Sequence, residues 1–279
     1  MINLDENLLG RAYGSFINYT GGKHRYIEDL FRVLPDKHGL NVLDPFVGGG
    51  CLVNKLPDSW QITCSDTCEP LIDLHKAVQA KSIDTDSLLA EVKRRGLSNH
   101  NEEAYYKLRD DYNKEPNEAL FYLLLCHSNS NMLRFGPKGF NTPFGKRTFN
   151  KNMQQKLINY QRSLQQKNVT FDSRCFSGYD FSNYDLLLID TPYSDTLATY
   201  NERGGWSKAQ ELSVYEKISN AHQTGAGFAL FGQVKAKGVE NSDLKCFADQ
   251  YEYKVLKETT RHCNYQRKDL ETIEIMVWG

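Results

Sequence analysis

No apolar run in this 279-residue chain approaches a membrane span; Leu120 to Cys126 and Leu186 to Ile189 are the longest, against the roughly 20 residues a spanning helix needs. Met1 to Gly14 lacks the basic start and apolar centre of a signal peptide. The seven cysteines, an odd number, include no C-x-x-C pair, and no histidine stands at a zinc-ligand spacing from the nearest two, Cys64 and Cys68. This argues against a disulfide scaffold or a metal cluster and for reduced thiols in a cytoplasmic protein. Internal repeats and low-complexity segments are missing too. Net charge is only −1, yet one stretch lacks charge of one sign, because no acid stands between Glu118 and Asp172. That stretch carries Arg134, Lys138, Lys146, Arg147, Lys151, Lys156, Arg162 and Lys167. Such a block either meets phosphates or is a solvated surface, and charge alone does not decide between them.

What is present describes an ordinary globular chain, 40% hydrophobic and 25% charged. Short apolar runs end in Gly, Pro or acid and alternate with helical stretches. Asn41-Val42-Leu43-Asp44 enters Pro45-Phe46-Val47-Gly48-Gly49-Gly50, and Gln61-Ile62-Thr63-Cys64 leads to Ser65-Asp66. Tyr184 to Ile189 leads to Asp190, while Phe228 to Phe231 and Thr272 to Val277 are further strand candidates. This alternation predicts an α/β sheet with parallel neighbours, whose ligand sits at the carboxyl ends of the strands. From about Leu74 to Lys167 the pattern changes. Ser87 to Arg95, Glu102 to Tyr112 and Ala119 to Cys126 read as helices, followed by a turn-rich basic stretch containing Gly136-Pro137 and Gly139. The expected organisation is an α/β domain, residues 1–74 and 168–279, carrying an inserted, mainly helical lobe, residues 75–167, with a β-hairpin at its tip.

Two constellations carry chemistry. The turn from Asp44 to Gly50 follows a strand, and its glycines let backbone approach a ligand; alone it reads equally as a tight turn or a dinucleotide site. Asp66 follows the next strand, where an acid can grip ribose hydroxyls. The second is Asp190-Thr191-Pro192-Tyr193. Asp190 can accept one hydrogen bond from an exocyclic amine and the Thr191 carbonyl the other, with Tyr193 stacking on a base flipped from its duplex. By itself the tetrapeptide also fits an ordinary Asp-x-Pro turn.

Taken in order, these motifs resemble those of the Dam-type, D12 class DNA adenine-N6 methyltransferases, above all those of T-even bacteriophages. Tyr19-Thr20-Gly21-Gly22-Lys23 resembles the family's N-terminal cofactor motif, Asp44 to Gly50 its glycine loop, and Asp66 its ribose-binding acid. Asp190 to Tyr193 resembles its catalytic tetrapeptide. Ser130 to Arg134 and Asn141 to Arg147 resemble its target-recognition hairpin, with Tyr200-Asn201 to Trp206 and Asn264-Tyr265 as further matches. The resemblance implies a Rossmann-like fold that binds S-adenosyl-L-methionine and methylates N6 of adenine, with GATC as the expected target.

By the same resemblance, Tyr19, Thr20, Gly21, Lys23, Asp44, Phe46, Gly48, Gly50, Asp66 and Asp190 are expected to hold the cofactor, with Phe171 near its adenine. Asp190, Thr191, Pro192 and Tyr193 are expected to carry the chemistry. Arg134 is expected to bind a guanine. Ser130, Asn131 and Met132 are assigned to the stack vacated by the adenine, and Lys146 and Arg147 to phosphates, with Asn141 and Pro143 completing the DNA-binding set. Double-stranded DNA is the expected partner, with no membrane, metal or obligate protein partner implied. The family has proline where this chain has Thr191; the carbonyl survives, but the fixed φ does not. Slower chemistry is expected, and a DNA-binding relative without chemistry is the alternative. An RNA or protein-glutamine methylase fits the tetrapeptide as well, although Arg134 in a basic hairpin argues against a protein substrate. His127 and His262 read as structural, and Tyr105, Tyr106, Tyr112, Phe121 and Tyr122 as helix packing.

Overall fold

The computed structural model describes residues 15–19, 21–129, 132–192, 205–263 and 268–279. The helices are α1 (Ile27–Val33), α2 (Glu69–Gln79), α3 (Thr85–Arg95), α4 (Glu102–Lys114), α5 (Glu118–His127), α6 (Lys151–Leu164), α7 (Lys208–Gln223) and α8 (Ser242–Ala248). The strands are β1 (Asn41–Asp44), β2 (Gln61–Ser65), β3 (Phe135–Gly136), β4 (Gly139–Phe140), β5 (Asn168–Asp172), β6 (Leu186–Asp190), β7 (Gly227–Ala236), β8 (Val239–Glu240), β9 (Glu252–Cys263) and β10 (Lys268–Trp278).

The main sheet runs β5-β2-β1-β6-β7-β10-β9, with β8 beside β7. Pairing from β5 through β7 is parallel, and β10 is antiparallel to both of its neighbours. The run Leu186-Leu187-Leu188-Ile189 is buried throughout, as a central parallel strand covered on both faces requires. One face packs on α2, α5 and α6 around Val42, Ile62, Leu71, Leu123, Leu157 and Tyr160. The other packs on α7 and α8 around Leu43, Leu187, Val214, Ile218, Phe228 and Phe247. Helix α5 is buried from Leu120 to His127, which explains its apolar composition all round. Helix α6 buries Met153, Leu157, Tyr160 and Leu164, a single stripe at helical spacing.

The stretch from residue 75 to 167 therefore shares one continuous core with the sheet through α2, α5 and α6. At the far end of that core, β3 and β4 form the short antiparallel hairpin expected there, with Phe135 opposite Phe140 and both packed into it. Among the described residues, no helix is long and apolar enough to cross a membrane.

Candidate active site and nucleic-acid interface

Strands β1, β2 and β6 run parallel and end in Asp44, Ser65 and Asp190, so their acids gather at one sheet edge. The turn after β1 is held by hydrogen bonds on every side. Val47 N–H donates to the Ser65 carbonyl (2.9 Å) and Gly50 N–H to that of Val47 (2.8 Å). Asp66 accepts from Gly48 N–H at 3.1 Å and Cys68 N–H at 2.9 Å, so the acid expected at ribose also fastens the loop. Beneath, His75 Nε2 lies 2.8 Å from the Gly48 carbonyl and its Nδ1 2.9 Å from Tyr160 Oη. Burial pushes the His75 imidazole down to about 4, so the neutral ring donates from Nε2 and accepts from Tyr160 at Nδ1.

The glycines of this turn are needed for a reason other than ligand approach. A Cβ on Gly48 would lie 2.7 Å from Tyr19, one on Gly49 2.2 Å from Ser15, and one on Gly50 2.4 Å from Tyr160. The protein's own side chains occupy the space.

Lys23 is buried and its ammonium meets three oxygens: the Gly21 carbonyl at 2.7 Å, Asp190 Oδ1 at 2.8 Å and Glu274 Oε1 at 3.5 Å. Expected to hold cofactor, its head group is instead engaged with the catalytic candidate itself. Asp190 is pushed above the usual carboxylate range by burial, an effect that Lys23 opposes. Asp44 is fully buried and pushed up to about 8 by desolvation, with Asp190 and Asp66 adding to the shift. Thr191 is buried and Pro192 half-buried beside Asp190, while Thr20 and Tyr193 lie outside the described residues.

Phe171 packs against the support of the loop after β1. It is buried with its ring stacked on His75 at 4.7 Å, on the core side of the loop, because β5 turns it inward beside α2. The aromatic wall is made by Phe46, Phe176 and Trp206, with centroids 5.5 to 5.6 Å apart. Phe176 was not expected in the site; it follows β5 in a short 3-10 turn that carries no local motif.

At the hairpin, Arg134 is exposed, and its Nε donates to Asn141 Oδ1 at 2.7 Å and its Nη2 to the Asn141 carbonyl at 2.8 Å. The hairpin is pinned from below. Asn113 accepts from Phe140 N–H and donates to its carbonyl, and Tyr105 Oη donates to the Thr142 carbonyl. Lys138, Lys146 and Arg147 are exposed, and Met132 and Pro143 half-buried. Two cations of the basic block are committed elsewhere: Lys156 donates to Asn18 and Lys167 pairs with Asp58. Ser130 and Asn131 lie outside the described residues, as do Tyr200-Asn201 and Asn264-Tyr265. His127 is buried with its ring nitrogen on the Leu123 carbonyl, and Tyr105, Tyr112, Phe121 and Tyr122 are core residues.

A sheet of this order, with a glycine turn after β1 and acids at its carboxyl edge, defines a Rossmann-like S-adenosylmethionine-dependent methyltransferase fold. Residues 19–253 match the D12 class N6 adenine-specific DNA methyltransferases, and the chain belongs to that family. It is 28% identical over 278 residues to the type II methyltransferase M.FokI of Planomicrobium okeanokoites, covering 94% of this chain and 42% of that one. To the modification methylase StsI of Streptococcus sanguinis it is 28% identical, covering 83% and 37%. To the DNA adenine methylase of Escherichia coli K12 it is 26% identical, over 67% of each chain. The chain thus spans about two fifths of the length of the first two relatives.

The residues present suit S-adenosylmethionine on two counts. The buried Trp206 Nε1 has no hydrogen-bond partner among the described residues and stands in the wall formed with Phe46 and Phe176, as suits an adenine ring. Asp44, Asp66 and Asp190 gather at one edge, where burial raises their carboxyls and a bound sulfonium or ammonium would favour the ionised forms.

Proposed function

We propose that this protein methylates N6 of adenine in double-stranded DNA, within GATC, in the manner of the T-even phage enzymes, in a bacterial or phage-infected cytoplasm. The placement of Asp190, Thr191 and Pro192 at the end of β6, beside the glycine turn, carries this reading. When bound, S-adenosylmethionine supplies an electrophilic methyl group. Tyr19, Gly21, Phe46, Gly48, Gly50, Asp44 and Asp66 hold it, with Thr20 among the residues expected to help. Asp190 accepts one hydrogen bond from the adenine amine and the Thr191 carbonyl the second, directing the nitrogen lone pair outward, while Tyr193 stacks on the flipped base. The amine loses its proton to solvent.

In the same reading, residues 75–167 form the target-recognition region. Arg134 reads a guanine, and the Asn141 clamp orients its guanidinium so that Nη1 and the second Nη2 hydrogen face the groove. Ser130, Asn131 and Met132 fill the stack; Lys146 and Arg147 neutralise phosphates, with Pro143 shaping the turn before them. A second reading rests on Thr191, which replaces a rigid proline: a relative that binds DNA without modifying it. Tritiated methyl transfer to duplexes with and without GATC tests both, alongside Asp190→Ala and Thr191→Pro. Incorporation at N6-adenine only in GATC, lost in Asp190→Ala, is the expected result. Duplex binding without incorporation, restored by Thr191→Pro, selects the second reading.

A further inference from the structure

We propose that Glu274 is a positioning residue for methyl transfer: from β10, opposite bulges in β7 and β9, it shares the Lys23 ammonium with Asp190, fixing Lys23 on Oδ1 and assigning Oδ2 to the substrate. This rests on Asp190 as the group that meets the target amine.

Glu274 stands where the register of β10 breaks twice. Against β7 the break lies between Ile273 and Glu274, and against β9 between Glu274 and Ile275. Each break skips one residue of the partner strand, Val234 of β7 and Leu256 of β9, so Glu274 stands opposite two bulges, irregularities that concentrate next to active sites. The residues that follow, Ile275, Met276 and Val277, are buried, so the strand places a carboxylate at the edge of an apolar interior. Only 13% of its side chain is exposed, and holding a charge there is unfavourable unless it is answered. Both oxygens are answered. Tyr26 Oη donates to Oε2 at 3.0 Å, and Oε1 lies 3.5 Å from Lys23 Nζ. Lys23 in turn has three ammonium hydrogens, and Gly21, Asp190 and Glu274 all place oxygens around it. The Phe231 ring lies 5.7 Å from the same ammonium, closing its apolar side.

Chain segments from both ends of the sequence and from β6 therefore converge on one cation. Lys23 draws on Asp190 as an opposite charge, and Glu274 takes part of that pull. Without the second carboxylate, the whole ammonium charge falls on Asp190, whose oxygens become poorer acceptors for the amine. Among the described residues, the groups facing Asp190 are Lys23 from the N-terminal segment, Asp44 from β1, Cys51 from the loop after it, and Glu274 from β10. Among the described residues, Lys23 and Glu274 are the charged groups that shift Asp190. Glu274 pushes the Asp190 carboxyl up and Lys23 pulls it down.

The test compares wild type, Glu274→Gln, Glu274→Asp and Tyr26→Phe in three measurements. These are single-turnover methyl transfer, S-adenosylmethionine affinity by calorimetry, and the Asp190 titration by carbon-13 NMR, assigned with Asp190→Asn. Glu274→Gln is expected to slow transfer about 10- to 100-fold with cofactor affinity within twofold, and to lower the Asp190 midpoint. Glu274→Asp, which keeps the charge, is expected to recover most of that midpoint. An unchanged midpoint in Glu274→Gln, or a rate loss matched by an equal loss of cofactor affinity, overturns the proposal. If Glu274→Gln does not fold, Tyr26→Phe decides: a two- to fivefold slowing with intact affinity supports it, and wild-type rates overturn it. Should the wild type modify no duplex, the methyltransferase reading fails, while the NMR titration still decides whether Glu274 governs Asp190.

Discussion

Replacing Gly50 by alanine probes how the loop after β1 is held. Two costs follow from the structure. Gly50 has φ +70°, a left-handed backbone that costs an L-residue about 1–2 kcal/mol. The new Cβ would also stand 2.4 Å from Tyr160 Oη and 2.9 Å from His75 Cε1. Crowding of this kind in a close-packed interior costs a further 1–3 kcal/mol, roughly. Gly21 separates the two terms, since its φ is +84° but a Cβ there meets nothing within 4 Å. Gly50→Ala should therefore lose about 2–5 kcal/mol and Gly21→Ala about 1–2 kcal/mol. Urea unfolding followed by circular dichroism measures both. A double-mutant cycle sharpens the result, because Tyr160→Phe removes the atom that would clash. It should cost less in the Gly50→Ala background than in wild type, where it forfeits only the bond to His75. Equal losses for the two glycine variants, or strict additivity with Tyr160→Phe, would refute the idea that packing from behind requires glycine at position 50.

Asp44, raised to about 8 in the folded chain from an ordinary 3.8, binds its proton more tightly when folded. Its contribution to stability is present below the ordinary value and is lost as pH rises through 8, so Asp44→Asn should gain on wild type between about pH 4 and 8, by at most about 1.4 kcal/mol per unit. Urea midpoints at pH 5 and pH 8 check this. Asn141→Ala should leave the fold intact, since the side chain is exposed, yet free Arg134 and cost about 1 kcal/mol of discrimination at its guanine. Relative kcat/KM on duplexes altered at that base reads it out. Replacing both Lys146 and Arg147 by alanine should weaken duplex binding and lower the slope of log K against log salt by about 2, measured by anisotropy.

The parts of the fold legible in sequence were those whose pattern is set by burial. β6 is apolar because both faces are covered, and an acid follows because the strand ends at the ligand edge. Strand β9 had no such signature. At the sheet edge it carries Glu252, Lys254, Lys257 and Glu258 in solvent, along with exposed Tyr253 and Val255, so neither alternation nor an apolar run marks it. Glu274 was hidden for a different reason. The bulges it faces in β7 and β9 are visible only once the strands are paired, and its hydrogen bond to Tyr26 spans 248 positions.

Charge and glycine patterns were each read as facing outward to a ligand, and the structure adds an inward role to both. Of the cations between Glu118 and Asp172, Lys156 and Lys167 are spent within the protein, on Asn18 and Asp58. Charge density in sequence thus overstates the charge available to phosphates, and the exposed cations of the hairpin are the ones to test. The three glycines after Asp44 make room for Tyr19, Ser15 and Tyr160. A loop that must present backbone to a ligand needs rigid support beneath it, and that support presses the loop as closely as any ligand would. Glycine in such a turn is therefore no evidence of which side is crowded. That side is settled by what a Cβ would strike, and at residues 48–50 it strikes the protein.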